Sequence, residues 1–432
     1  MSWVPAPVLP TRSRLERSVG QTGADQVGTQ SPVPGPAAQY ETLTGRTEVG
    51  GRIGALDNLK VVLVIGVILG HAAMTYGAAG SWIFEARRYG GGTLTGPVKA
   101  LASAAIGLGV LFAMGLFLYI AGLFTPATLR RKGPRAFALG RIVRLGIPLV
   151  VYVAVVMPLL GVLIDRMAGT GTRDFASLYW RSLRDPSSGP LWFVAILLAF
   201  SLVVAITSRL LPFPAPRRAP LRRSYLVIAG ATITIGAFGL RILFPIDSRQ
   251  VLDLHVWLWP QCAVLFVLGV LSSQHGWLNP VPTRLWRASG FAAVTAIGTG
   301  ICVLMVIHAS QHALRGGPTL PALLIDGVEG LYAVSASIWM LGLFQRHFSH
   351  QGRLARRCSN NSYGAFIAQG PVLVGLALIL QPLAMSGDLK FLLLASGSVV
   401  GSFVVGNLVI ALLLRVAPRR GPRLSSATTA AG

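Results

Sequence analysis

The chain has 432 residues, of which 53% are hydrophobic and only 12% charged, and its formal net charge is +24. Soluble globular domains carry about 25% charged residues, so this composition excludes an ordinary soluble protein. The positive charge does not indicate a nucleic-acid partner, because the basic residues lie in short loops between long apolar runs. Such loops set the orientation of membrane proteins. The composition therefore predicts an all-α, polytopic helical membrane protein.

The two ends of the sequence hold no apolar run. Residues 1–50 are rich in Pro, Gly, Ser, Thr and Gln and are predicted to be a disordered cytoplasmic tail. Residues 416–432 are predicted to be a shorter, basic cytoplasmic tail. Between them, residues 51–415 are predicted to form one membrane domain of about ten transmembrane helices, at 59–77, 97–124, 145–164, 191–208, 225–244, 257–273, 288–308, 321–345, 361–382 and 390–414.

Alternate loops between these spans differ in charge. The four basic loops are 125–144, 209–223, 274–287 and 346–357, and the loops between them are balanced or sparsely charged. Lys and Arg are concentrated in cytoplasmic loops, so both termini are expected to be cytoplasmic. We expect a multi-pass protein of the cell (inner or plasma) membrane, with the lipid bilayer as its surroundings. The first outer loop, with Arg87 and Arg88 against Glu85, departs from the pattern.

Three ionisable residues share one stripe of the first span. The eleven-residue step from Lys60 to His71 brings the two side chains to within about 20° of each other around a helix, and about 16 Å apart along it. Asp57, three positions before Lys60, lies on the same stripe. Lys60 is therefore predicted at the cytoplasmic interface and His71 near mid-membrane, where an ionisable group is costly and indicates function. Alone, Lys60 is explained by interfacial snorkelling and His71 by helix packing.

Further polar and aromatic residues mark the later spans. Arg141 and Arg144 are three positions apart, so they are predicted on one helical face as a phosphate clamp, although the loop charge rule also explains them. Trp192 opens the fourth span, where an interfacial tryptophan is common; His255 is similarly placed at the sixth. His308 and His312 have metal-ligand spacing but lack a nearby acidic partner, so no metal site is predicted.

Together, in this order, the segments resemble the acyltransferase-3 family of integral membrane acyltransferases. The family pattern has a basic residue, ten residues and a histidine in the first span, a pair of arginines three apart before the third span, and Leu-Trp-Phe opening the fourth. Lys60, His71, Arg141, Arg144 and Trp192 match these positions. The sequence departs from the family in having Lys where Arg is commoner, and Gln369 where many members have a ninth-span His. The residues after His71 are closer to glucan-modifying members.

The resemblance implies a membrane O-acyltransferase that moves an acyl group, most simply acetyl, from cytoplasmic acyl-CoA to a hydroxyl of a carbohydrate, glycolipid or small-molecule acceptor. No permanently bound cofactor is implied, since acyl-CoA is a substrate. His71 would be catalytic, either as general base or as a transiently acylated nucleophile. Lys60, Arg141 and Arg144 would bind the CoA phosphates. Trp192 and Asp57 are the expected substrate-binding residues, with Asp57 pairing with Lys60 or the arginines.

Two alternatives remain open at the level of sequence. A secondary transporter or exporter would also use a mid-membrane histidine and basic cytoplasmic mouths. The sequence argues against it only in that the remaining spans are predicted to be nearly free of buried charge. A membrane scaffold that has lost catalysis is the other alternative, with Gln369 as its possible sign.

Overall fold

The computed structural model describes residues 36–167, 174–210, 219–246, 248, 250–278, 280–306 and 315–416. Within them the chain is helical, and the one strand-like contact is an isolated bridge between Ser187 and Leu252. The helices are α1 Pro36–Thr75, α2 Gly96–Arg141, α3 Ile147–Val151, α4 Met157–Met167, α5 Phe175–Arg184, α6 Trp192–Leu210, α7 Arg223–Leu243, α8 Trp259–His275, α9 Thr283–Val306, α10 Leu320–His347, α11 Arg353–Leu380 and α12 Gly387–Val416.

Nine stretches of the described chain are long and apolar enough to cross a membrane. One of them, Gly96–Met167, has 72 residues and contains both the second and the third predicted spans. The backbone breaks inside it at Gly133, which has a φ of 76° and is followed by Pro134. A left-handed φ favours glycine, and proline cannot donate the next helical hydrogen bond. Each of the ten predicted spans therefore overlaps a described helix, which confirms the helical membrane fold.

Short connections and small elements differ from the predicted boundaries. Helix α1 begins at Pro36, within the segment predicted to be a tail, and the domain boundary at residue 50 stays a prediction. Two π-helical turns, Ile142–Gly146 and Tyr152–Val156, interrupt the third span. The short helix α5 has no buried residue and follows a segment outside the described residues. Its existence was not predicted, because it is too short to register as an apolar run.

Close backbone contacts hold the helices together. Gly122 of α2 lies against the carbonyl oxygen of Phe266, and Gly269 of α8 lies against that of Tyr119, so that a Cβ at either glycine would collide with the facing backbone. In membranes, small residues allow such close approach and gain packing contacts that larger side chains would prevent. Helices α2 and α8 are therefore packed closely against each other.

Helices α1 and α11 run in parallel and are tied together at two places along their length. At one end the side-chain amide of Asn58 donates to the carbonyl oxygens of Phe348 and His350, at 2.8 and 2.9 Å, in the turn that precedes α11. At the other end His71 contacts Gln369. This register separates two ends of the helix pair. The basic end holds Asp57 and Lys60, and the histidine end holds His71 and Gln369.

Candidate active site

The imidazole of His71 has a defined partner on each of two sides. Its Nδ1 lies 3.0 Å from Oε1 of Gln369, and its ring stacks on Trp82 with the ring centroids 3.9 Å apart. The amide nitrogen of Gln369 donates to the carbonyl oxygen of Phe366 at 3.1 Å. This second bond fixes the orientation of the amide, so Oε1 accepts a proton from Nδ1 of His71. The imidazole is therefore the Nδ1–H tautomer, and its Nε2 carries a free lone pair.

His71 lies nearer the end of its helix than predicted. The apolar stretch Gly54–Thr75 has 22 residues, and His71 is only four residues from its end. The predicted span, 59–77, places His71 closer to its middle because the apolar run of the sequence begins at residue 59 and continues to residue 77. Relative to the helix itself, His71 is about one turn from the end, close to the loop that supplies Trp82.

Two further segments converge around Trp82 and Gln369. Ile83, the neighbour of Trp82, lies beside both Gly189 and Gly370. The phenol of Tyr152 occupies the space that a Cβ at Gly370 would need, and its buried hydroxyl has no hydrogen-bond partner in the described part of the chain. Gly370 follows Gln369 directly. The surroundings of the imidazole are therefore built from α1, the first loop, the third span, the segment before α6 and α11.

Trp192 stacks against a second histidine at the same end of the molecule. The rings of Trp192 and His255 are 4.8 Å apart at an angle of 31°, and Gly189, three residues before Trp192, lies against Ile83, the neighbour of Trp82. The sequence placed Trp192 at the opening of the fourth span, and the structure brings it to this end of the molecule. The sequence predicts an ordinary interfacial residue at His255, because nothing local to it indicates that it stacks against Trp192.

At the basic end, Lys60 and Asp57 form an ion pair at 2.5 Å. The expected partnership of Asp57 with Lys60 is thereby confirmed. Lys60 is only 8% exposed, and the carboxylate of Asp57 partly neutralises its ammonium. The role of either residue toward a ligand stays a prediction.

Arg141 and Arg144 lie close together but in different surroundings. Arg141 is buried with its guanidinium 5.1 Å from the centre of the Phe137 ring, whereas Arg144 is exposed. Neither guanidinium forms an ion pair within the described residues. The common face was predicted from α-helical spacing, whereas a π-helical turn, Ile142–Gly146, begins directly after Arg141 and has a different angular spacing. The role of the two arginines as a phosphate clamp stays a prediction.

The arginine pair is attached to the same helix as Gln369. The hydroxyl of Tyr363 donates to the backbone carbonyl oxygen of Arg144 at 2.9 Å. Tyr363 and Gln369 are both in α11, six residues apart, which corresponds to about 9 Å along the axis. The arginines and the imidazole are thus offset along one helix, with the arginines toward the Lys60 end.

A surface cavity of about 260 Å³ lies beyond the last turn of α1. Its lining includes Met74, which is three residues after His71, together with Glu85, Arg87 and Lys99. Glu85 pairs with both Arg87 and Arg88. The basic residues that depart from the loop charge pattern therefore lie at or beside this cavity.

A buried ionic cluster lies in α7 and α10. Arg241 forms ion pairs with Asp326 and, at 2.5 Å, with Glu329, and each of the three residues is at most 3% exposed. The prediction that the remaining spans are nearly free of buried charge is therefore wrong. The sequence does carry a sign of this cluster, because each of the three residues interrupts an apolar run, and an ionisable residue in a span requires a partner. Hence the argument from charge against a transporter fails.

Metal ligation is not indicated within the described residues, which contain no cluster of three or more His, Cys, Asp or Glu residues able to hold an ion. His308 and His312 lie outside the described residues.

The apolar helices define a multi-pass membrane protein. A family model for acyltransferase domains matches residues 53–414, which is most of the chain. The chain belongs to the acyltransferase-3 family, and it is an enzyme that transfers acyl groups other than aminoacyl groups. No curated protein and no solved structure matches the chain.

Proposed function

We propose that this chain is an O-acyltransferase that takes an acyl group, most simply acetyl, from cytoplasmic acyl-CoA and transfers it to a hydroxyl of a carbohydrate, glycolipid or small-molecule acceptor. The observation that carries the proposal is the imidazole of His71, whose Nδ1–H is held by Gln369 so that Nε2 is left as a base or nucleophile. Acyl transfer to a hydroxyl requires such a group.

The basic end supplies the chemistry that a CoA donor needs. Arg144 is exposed and has no carboxylate partner in the described part of the chain, so its guanidinium is available to a phosphate. Arg141 adds positive charge beside it. Lys60 contributes less, because Asp57 already neutralises it. The pantetheine arm would bridge the offset between the arginines and His71.

The histidine end suits a hydroxyl acceptor. Trp192 and Trp82 offer apolar faces on which a sugar ring can stack, and both lie near an imidazole. The cavity beside Met74 gives an acceptor a place next to the last turn of α1. A glucan acceptor is compatible with these groups, as are other polyhydroxy compounds.

The donor is tested by measuring free CoA release from acetyl-CoA by the purified full-length chain in lipid nanodiscs. Wild-type protein is expected to release CoA, and Arg144→Ala to raise the KM for acetyl-CoA about tenfold, the loss of one charge-assisted hydrogen bond. Arg223→Ala removes an exposed arginine at the start of α7 and is the matched control, with unchanged KM. Absence of CoA release from acetyl-, propionyl- and succinyl-CoA would refute the proposed donor class.

A further inference from the structure

His255 is held in the site by an unusual loop. Leu252, Asp253 and His255 all have left-handed backbone conformations, with φ of 60°, 50° and 47°. A non-glycine residue with positive φ is uncommon, and three in four positions store strain of the kind found at functional sites. The surrounding structure must therefore fix this loop firmly.

Hydrogen bonds on both sides provide that fixation. The backbone N–H and the hydroxyl of Ser188 both donate to the carbonyl oxygen of Leu252, at 3.2 and 2.5 Å. The indole of Trp259 donates to the carbonyl oxygen of Leu254 at 3.0 Å. Ser188 is four residues before Trp192, so these bonds also set the distance between Trp192 and His255.

The buried ionic cluster of Arg241, Asp326 and Glu329 packs against the segment that carries His255. The guanidinium of Arg241 lies 5.1 Å from the ring centre of Trp257, which is two residues after His255. Arg241 is fixed in turn by Asp326 and Glu329. A cation under an aromatic face is stabilising when both are desolvated, so the cluster positions the segment that carries His255.

The imidazole of His255 is the same tautomer as that of His71. Its Nδ1 lies 2.5 Å from the carbonyl oxygen of Asp253, which can only accept, so Nδ1 carries the proton and Nε2 carries a lone pair. Burial lowers the pKa of His255 below its ordinary value, although Asp253 acts in the opposite direction. The neutral imidazole of His255 therefore presents a basic Nε2 and lies against Trp192.

We propose that His255 is a second catalytic residue, the general base for the acceptor hydroxyl in a two-step transfer in which His71 carries the acyl group. The proposal rests on the proposed function and deepens it. The two histidines divide the reaction, with His71 on the donor side and His255 beside Trp192 on the acceptor side.

The two steps balance as follows. In the first, Nε2 of His71 attacks the thioester carbonyl, the C–S bond breaks, CoA leaves as thiolate, and an acyl-imidazolium remains, with its Nδ1–H held by Gln369 and its ring on Trp82. In the second, Nε2 of His255 takes the hydroxyl proton, the acceptor oxygen bonds to the acyl carbon, and the C–N bond to His71 breaks. The proton on His255 passes through water to the thiolate, which regenerates both histidines.

The test uses the full-length chain in lipid nanodiscs with acetyl-CoA labelled in its acetyl group, and water and methyl β-D-glucoside as hydroxyl acceptors. The variant is His255→Asn, since asparagine tolerates a left-handed backbone better than alanine but is not a base. His347→Ala is the matched control, because His347 also lies near a tryptophan, Trp286, but in a different part of the molecule. Thermal unfolding of each variant reports on folding.

The wild-type and His347→Ala proteins are expected to turn over repeatedly. His255→Asn is expected to release about one CoA per protein rapidly, to retain the label on the protein, and to turn over at least about 100-fold more slowly afterwards. Hydroxylamine, a strong nucleophile without base assistance, is expected to restore its turnover.

Two results would overturn the proposal for His255. One is turnover by His255→Asn at the wild-type rate without hydroxylamine. The other is loss of the initial CoA release in a variant that unfolds at the wild-type temperature, which would place His255 before the acyl-enzyme. Absence of any CoA release from the wild type would instead refute the proposed function itself, and this inference with it.

Discussion

The basic end and the histidine end of the α1–α11 pair are assembled differently. At the basic end, Asp57 and Lys60 are three residues apart, and so are Arg141 and Arg144. At the histidine end, His71 meets Gln369 across 298 residues of sequence, and Trp192 meets His255 from another pair of segments. Binding a polyanion needs only local clusters of positive charge, whereas positioning an imidazole needs rigid partners on several sides.

The largest expected effect is on stability, and it compares the buried cluster of Arg241 with the Asp57–Lys60 pair of the basic end. Asp326→Ala leaves the buried Arg241 with only one of its two carboxylate partners and is expected to cost about 3–5 kcal/mol of stability, the usual cost of breaking a buried pair. The midpoint of thermal unfolding in detergent measures the loss. Asp57→Ala, which breaks the more exposed pair at the basic end, should lower that midpoint less. Equal losses would show that the buried Arg241 cluster stabilises the protein no more than the Asp57–Lys60 pair does.

The features that the sequence predicts are the local ones, and those that it does not predict depend on contacts between distant segments. The spans, the Lys60–His71 stripe and the Asp57–Lys60 pair follow from apolar runs and helical spacing, which are local. Trp82 and His255 could not be assigned, because no local pattern reports which loops meet across the bundle. Arg241, Asp326 and Glu329 each interrupt an apolar run, but no local pattern pairs them. Arg241 is 85 residues from Asp326 and 88 residues from Glu329.

Gln369 is the second test, at the histidine end alone. Gln369→Leu removes the acceptor for Nδ1–H of His71, so the imidazole loses its fixed tautomer, and kcat is expected to fall about 10- to 100-fold. The KM for acetyl-CoA should change little. Gln369→Glu keeps an acceptor oxygen and serves as the comparison; if it is no more active than Gln369→Leu, the hydrogen bond is not what Gln369 contributes.

Trp192 should give the smallest effect, because stacking contributes only about 0.5–1.5 kcal/mol beyond burial. With methyl β-D-glucoside as the acceptor, Trp192→Ala is expected to raise the acceptor KM by about threefold to tenfold and to leave the KM for acetyl-CoA unchanged. Trp180→Ala, which removes an exposed tryptophan of α5, is the control. A change in the donor KM alone would move Trp192 from the acceptor side to the donor side.

The most direct test compares donor binding and donor cleavage in His71→Ala and Arg144→Ala. Acetyl-CoA binding is followed by the rise in unfolding temperature that it causes, and cleavage by single-turnover CoA release at saturating acetyl-CoA. If the two ends divide the work as argued, His71→Ala keeps the wild-type rise but loses CoA release by at least about 1000-fold. Arg144→Ala loses most of the rise yet releases CoA near the wild-type rate once saturated. CoA release by His71→Ala at the wild-type rate would contradict the account.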